Sequence, residues 1–203
     1  MQAAVDKAVA TFGGIDILIN NASAISLTPT DKLDMKRYDL MHSINTRGTF
    51  LCSKLCLPHL KKSKNPHILN ISPPLSIFSQ GVNWFAPHVG YTMAKYGMTL
   101  CAYGMSEEFA PFKIAVNTLW PRTAIATAAV VNLLGGEASI KMSRKPEIMA
   151  DAAYEILTSK SDEVTGKFFM DDEVLISCNA MELSKYACVE GTRDDEMLPD
   201  YFC

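Results

Sequence analysis

No apolar run in the sequence approaches the ~18 residues that a membrane-crossing helix needs. The opening stretch, MQAAVDKAVATFGG, lacks the long apolar centre of a signal peptide and reads instead as an amphipathic helix. The chain ends in DYFC, which is neither a peroxisomal nor a retention tripeptide. Six cysteines, at positions 52, 56, 101, 178, 188 and 203, form no CxxC and no ligand-like cluster with the four histidines. That scatter excludes a zinc site of ordinary spacing and a disulfide framework, and fits reduced thiols inside a cell. Excess positive charge is also missing. The formal net charge is -3, and the longest basic run, LKKSKN at 60–65, reads as a solvated helix end, so no nucleic-acid partner is indicated. There are no internal repeats and no low-complexity segments.

What is present is the composition of a soluble globular protein, 48% apolar and 20% charged over 203 residues, enough for one domain with a real core. Residues 2–12 are expected to form a helix stopped by Gly13 and Gly14, followed by the apolar run IDILIN, suited to a buried strand. A long helix is expected from Asp34 to Leu60, with Met35, Tyr38, Met41, Ile44, Leu51 and Leu55 at three- and four-residue spacings. HILNIS at 67–72 reads as a second strand, a loop runs from Pro73 to His88, and a helix over about 90–109 carries the small residues Ala94, Gly97 and Gly104 for close packing. IAVNTLW at 114–120 is a third strand, PEIMADAAYEIL at 146–157 a helix, and KFFMDDEVL at 167–175 a last strand. Strands alternating with helices of this length imply parallel βαβ units and an α/β doubly wound sheet. Residues 176–203 break the rhythm and read as an irregular tail after a domain at 1–175.

The stretch VGYTMAKYGM places Tyr91 and Lys95 four apart on a helix, where side chains meet. A nearby ammonium favours the phenolate of a tyrosine, and such a tyrosine can protonate a carbonyl oxygen or deprotonate an alcohol. Two ordinary neighbours on one helix face are the alternative, since seven tyrosines make roughly 0.5 chance YxxxK matches in a chain of this length. The surroundings decide between them. NNAS puts Asn21 and Ala22 just beyond the first strand, where α/β sheets bind ligands. INTRG puts Asn45, a poor interior helix former in need of a partner, in an apolar stripe. Ser72 ends the second strand, and Pro121, Ile125 and Thr127 follow the third.

In this order NNAS, INTRG, YTMAK and WPRTAIAT resemble the motifs of the short-chain dehydrogenase/reductase family over residues 1–175. The resemblance implies a Rossmann-type, NADP- or NAD-dependent oxidoreductase that needs no metal and acts on a carbonyl or alcohol of an apolar, lipid- or steroid-like substrate. Tyr91 would be the acid/base and Lys95 would lower its pKa while binding the nicotinamide ribose. Asn45 would hold a water that relays protons to Lys95, and Ser72 is the candidate donor to the substrate carbonyl. Asn21 and Ala22 would line the cofactor groove, with the backbone near Ile125 and the hydroxyl of Thr127 at the carboxamide. The long helices would allow a homo-oligomer, and the members most similar are associated with peroxisomes or mitochondria.

The chain departs from the family pattern in several places. No GxxxGxG turn, which holds cofactor phosphates on backbone amides, occurs among the eleven glycines. The first three strands of the family sheet are therefore expected to be missing, as in a truncated form, leaving IDILIN as an exposed apolar edge. A catalytically inactive form acting through protein association is the alternative this raises. Pro73 stands where the family's usual active-site serine falls, with Ser76 and Ser79 beyond it. Arg122 replaces a glycine, suggesting either an anionic handle on the substrate or a solvent-facing side chain. Leu133, Leu134 and Met142 lie in the stretch 128–145 that occupies the place of the variable substrate loop.

Overall fold

A computed structural model of the chain describes residues 1–76, 86, 88–133, 135–178 and 182–202. Much of the loop before His88, together with Ser79, Leu134 and Cys203, lies outside the described residues. The first helix, α1 (Gln2–Phe12), buries Val5 and closes on Gly13, whose φ of 86° is the left-handed conformation that glycine adopts freely. The short strand β1 (Ile17–Asn20) follows. Next comes α2 (Met35–His42), capped by the Asp34 carboxylate accepting from the Lys36 amide at 2.8 Å.

The single helix expected over 34–60 is interrupted. Ser43–Arg47 forms a π-helical turn before α3 (Gly48–Leu60) resumes. Such a turn admits one extra residue and turns a side chain out of register, and the side chain at its centre is the buried Asn45. After β2 (His67–Ile71), α4 (Val89–Glu108) and β3 (Ala115–Trp120) follow close to their expected bounds. Two short helices, α5 (Ala128–Leu133) and α6 (Glu137–Lys141), lead to α7 (Glu147–Thr158).

The last strand is shorter than the sequence suggests. Only Phe168–Met170 forms β4, and Asp171–Ser177 is a helix, α8, with Asp171, Asp172 and Glu173 in its first turn, where acidic residues favour the helix dipole.

The sheet is four parallel strands in the order β1-β2-β3-β4. Alternation along β2 and β3 gives each face its own core. Ile68 and Val116 join Cys56, Leu60, Ala102 and Met105 beneath α3 and α4, while Leu69 and Leu119 pack on Ile148, Ala152 and Ile156 of α7. β1 is an open edge, with Ile17 44% and Ile19 46% exposed. At Gly97 an added Cβ would come within 2.2 Å of the Thr46 hydroxyl, so its lack of a side chain lets α4 press against the π-turn. Gly104, by contrast, faces open space. Residues 182–202 carry only two 3₁₀ turns, Ser184–Tyr186 and Asp194–Glu196, yet they bring Phe202 into the core.

Candidate active site at the carboxyl ends of the strands

Asparagines join the sheet to the helices where β1 and β2 end. Asn20 and Asn70 are paired in register, and Asn20 Nδ2 donates to Asn70 Oδ1 at 2.8 Å and to Ser53 Oγ at 3.3 Å. Asn70 Nδ2 in turn donates to the Met98 carbonyl of α4 at 3.2 Å. Buried amides of this kind must be satisfied, and here their partners lie on β1, α3 and α4 at once. The role of Asn70 was not read from the sequence; its polarity inside the apolar run HILNIS was the available signal.

Asn45 acts on the loop after β1. Its Oδ1 accepts from the Ala24 amide at 2.8 Å and its Nδ2 donates to the Ala24 carbonyl at 3.0 Å, so the π-turn holds the backbone that carries Asn21, Ala22 and Ser23. The partner this polar residue needs is the main chain of Ala24.

A cavity of about 620 Å³ opens beside this loop, and Asn21, Ala22, Tyr91, Lys95, Ile125 and Thr127 all line it. Its volume falls in the usual range for small-molecule sites. Ile71, Trp120, Pro121 and Met149 give it apolar walls. Neither Asn45 nor Ser72 is among the lining residues. Ser72 lies fully buried just past β2, its hydroxyl without a hydrogen-bond partner among the described residues.

Tyr91 and Lys95 share the buried face of α4, as their spacing requires. Lys95 Nζ donates to the Ile71 carbonyl at 2.8 Å and stands 5.0 Å from the Trp120 ring centroid. Burial pushes the Lys95 ammonium down to about 8, against the pull of the Asp200 carboxylate. The Tyr91 phenol moves up, first through burial and then through Asp200 and Tyr201. This is opposite to the downward shift by Lys95 that the resemblance implies, because burial disfavours the phenolate and a negative group from residues 197–202 adds to it. Burial raises Asp200 itself to about 7, with Lys95 opposing the rise and Asp171 adding to it.

Arg122 is not free for an anionic substrate. Its Nε donates to Asp172 at 3.0 Å and its second nitrogen to Glu173, while its backbone amide is held by Asp171 at 2.8 Å. Both carboxylates come from the first turn of α8, which the apolar pattern of KFFMDDEVL suggests as strand and so hides from a sequence reading.

The model of short chain dehydrogenases matches residues 1–135, two thirds of the chain and the part that includes Asn21, Asn45, Tyr91, Lys95 and Thr127. The chain belongs to the short-chain dehydrogenase family. Within this family it is similar to Hydroxysteroid dehydrogenase-like protein 2 of Xenopus laevis, 56% identical over 202 residues, which cover 100% of this chain and 46% of that protein. The human protein of the same name is 51% identical over the same length. The chain thus spans about half the length of the curated relatives it matches. A solved structure from Xanthomonas campestris, 49% identical, superposes with a TM-score of 0.89 over 100% of this chain and 71% of that one. A short chain dehydrogenase from Mycobacterium thermoresistibile, also 49% identical, gives 0.87 over 99% and 69%. The fold is therefore the Rossmann-like α/β fold of short-chain dehydrogenases, oxidoreductases that use NAD(P).

The residues present fit one half of such a nucleotide. The cavity joins a hydroxyl at Thr127, the Lys95 ammonium and the loop at Asn21 and Ala22, donors and acceptors suited to a ribose and a carboxamide. Nothing in the sequence supplies a glycine-rich turn for the pyrophosphate. Among the described residues no group of three His, Cys, Asp or Glu is placed to hold a metal ion, and no helix is long and apolar enough to cross a membrane.

Proposed function

We propose that this chain carries the nicotinamide and substrate side of an NAD(P)-dependent oxidoreductase, with Tyr91 moving the proton to or from the oxygen of a carbonyl or alcohol. The observation that carries the reading is the convergence of Asn21, Ala22, Tyr91, Lys95, Ile125 and Thr127 on one cavity. Asn21 and Ala22 would flank the nucleotide, Lys95 would bind the ribose, and Thr127 with the backbone at Ile125 would meet the carboxamide. Bound nicotinamide supplies the hydride in reduction and accepts it in oxidation.

The protein's own part is proton transfer, orientation and exclusion of water. An upward-shifted phenol stays protonated at neutral pH, so Tyr91 is poised to donate, which suits carbonyl reduction. Lys95, fixed on the Ile71 carbonyl and one helical turn from Tyr91 on the same face, would supply positive charge for the oxygen left when Tyr91 gives up its proton. Ser72, fully buried and off the cavity lining, would reach a substrate oxygen only if the backbone after β2 shifts. The walls at Ile71, Trp120 and Met149 support an apolar substrate, of lipid or steroid type.

At saturating NADPH, Tyr91→Phe is expected to lower carbonyl reduction by at least about 100-fold. Turnover that survives this substitution contradicts the assignment.

A second reading has its own observation. The apolar edge at Ile17 and Ile19, with no phosphate turn in the chain, favours a form that works by association with another chain rather than by chemistry. Phe50, Met93, Leu100 and Tyr103, exposed on α3 and α4, support a homo-oligomer through those helices. A peroxisomal or mitochondrial location remains a proposal, checked by imaging the tagged protein.

A further inference from the structure

Residues 197–202 pass beside Tyr91 and Trp120. The Ala124 amide donates to the Leu198 carbonyl at 2.8 Å, Leu198 to Met142 at 2.8 Å and Asp200 to Arg122 at 3.2 Å, which ties the segment to the loop carrying Ile125. Upstream, Asp194 is anchored by the buried Arg144 at 2.8 Å. Beyond these ties the segment has no helix or strand, and among the described residues no ion pair holds Asp200.

At its end Phe202 is 1% exposed and enclosed by aromatic rings. Its ring is stacked on Tyr91 at 27° with centroids 6.0 Å apart, and it meets Tyr96 at 5.6 Å, Trp120 at 5.5 Å and His88 at 6.2 Å. Two of these walls, Tyr91 and Trp120, also line the cavity. Phe202 therefore stands on Tyr91 itself, and shares two walls with the cavity.

We infer that the cage of Tyr91, Tyr96, Trp120 and His88 is a binding site for a flat apolar ring bearing a ketone or hydroxyl at its edge, and that Phe202 is its internal occupant, displaced when such a ligand enters. The inference deepens the oxidoreductase reading by assigning the substrate's ring, and it rests on that reading only for the role of Tyr91. Aromatic walls in stacked and edge-on arrangement select a planar guest. Residues 197–202 are suited to removal, since no helix or strand carries them and closing them half-buries the Asp200 carboxylate, which accepts from the Tyr201 amide at 2.7 Å but whose charged form desolvation disfavours. A guest must outcompete a tethered ring, so affinity in the intact chain is reduced by the fraction of time the cage stands open.

The test uses 2-acetylnaphthalene as probe, titrated against Trp120-sensitive fluorescence and by calorimetry, without cofactor. Phe202→Ala is expected to bind it at least about 10-fold tighter than the unaltered chain, and Phe202→Leu to lie between the two. In the unaltered chain, saturating probe is expected to speed hydrogen exchange at the Ala124, Leu198 and Asp200 amides. Equal affinity in folded Phe202→Leu and the unaltered chain, or amides that slow or stay unchanged with probe, overturns the inference. Because no nucleotide takes part, tighter probe binding in a chain that binds no NADPH would uphold the cage and sink the dehydrogenase reading. NADPH binding with no gain at Phe202 would do the reverse.

Discussion

Burial and then Asp200, a residue more than a hundred positions away in the chain, govern the charge at Tyr91 and Lys95. The Asp200 carboxyl at about 7 and that of Asp171 at about 6 both exceed the unfolded value near 3.9. Between about pH 4 and 7 the folded chain retains protons that the unfolded chain has lost, so stability falls as pH rises through that window. Urea unfolding is expected to show a loss on the order of 2 kcal/mol between pH 5 and 7.5, and a flatter profile for Asp200→Asn. An unchanged slope in the variant would remove Asp200 from this role. Asn45→Ala strips the Ala24 amide and carbonyl of their partners, and a cost of about 1–3 kcal/mol is expected in the same assay. At this scale the sequence was partly legible. That Tyr91, Lys95, Asn21 and Thr127 meet at one cavity was readable because their spacing and strand-end positions are local. Asp200 and Phe202 could not, because nothing local in DYF shows which helix it meets.

Among the elements, the contact between α4 and the π-turn decides how closely the site is held. Ala94 and Gly97 of α4 face Thr46, whose hydroxyl donates to the Ala94 carbonyl at 3.0 Å. Thr46 is β-branched and stiff, so it has little room to yield to a new methyl group. Gly97→Ala is expected to cost about 1–3 kcal/mol, and a second substitution, Thr46→Ala, to recover much of it by removing the obstructing atoms. A double variant no better than Gly97→Ala alone would place the strain elsewhere. Helix bounds such as 2–12 and 90–109 were readable from periodicity and glycine stops. The π-turn was not, since one inserted residue barely disturbs an apolar stripe. The strand expected over 167–175 failed for a related reason. FFM and VL are both apolar, and the acidic run between them marks a helix start rather than a strand interior.

For the whole molecule, the parallel order β1-β2-β3-β4 leaves β1 with one unpaired side and two exposed isoleucines. An edge of that kind templates association. Sedimentation is expected to show concentration-dependent assembly that Ile17→Lys with Ile19→Lys reduces; assembly unaffected by the pair would direct attention to α3 and α4 instead.

We propose that the chain holds a nicotinamide half-site and no phosphate site. The most direct measurement is a fluorescence titration of NADPH and of reduced nicotinamide mononucleotide, each into the unaltered chain and into Lys95→Ala. Weak binding is expected for both nucleotides, near the millimolar range and about −4 kcal/mol, similar to one another and lost in Lys95→Ala. Micromolar NADPH binding, or binding indifferent to Lys95, would contradict it.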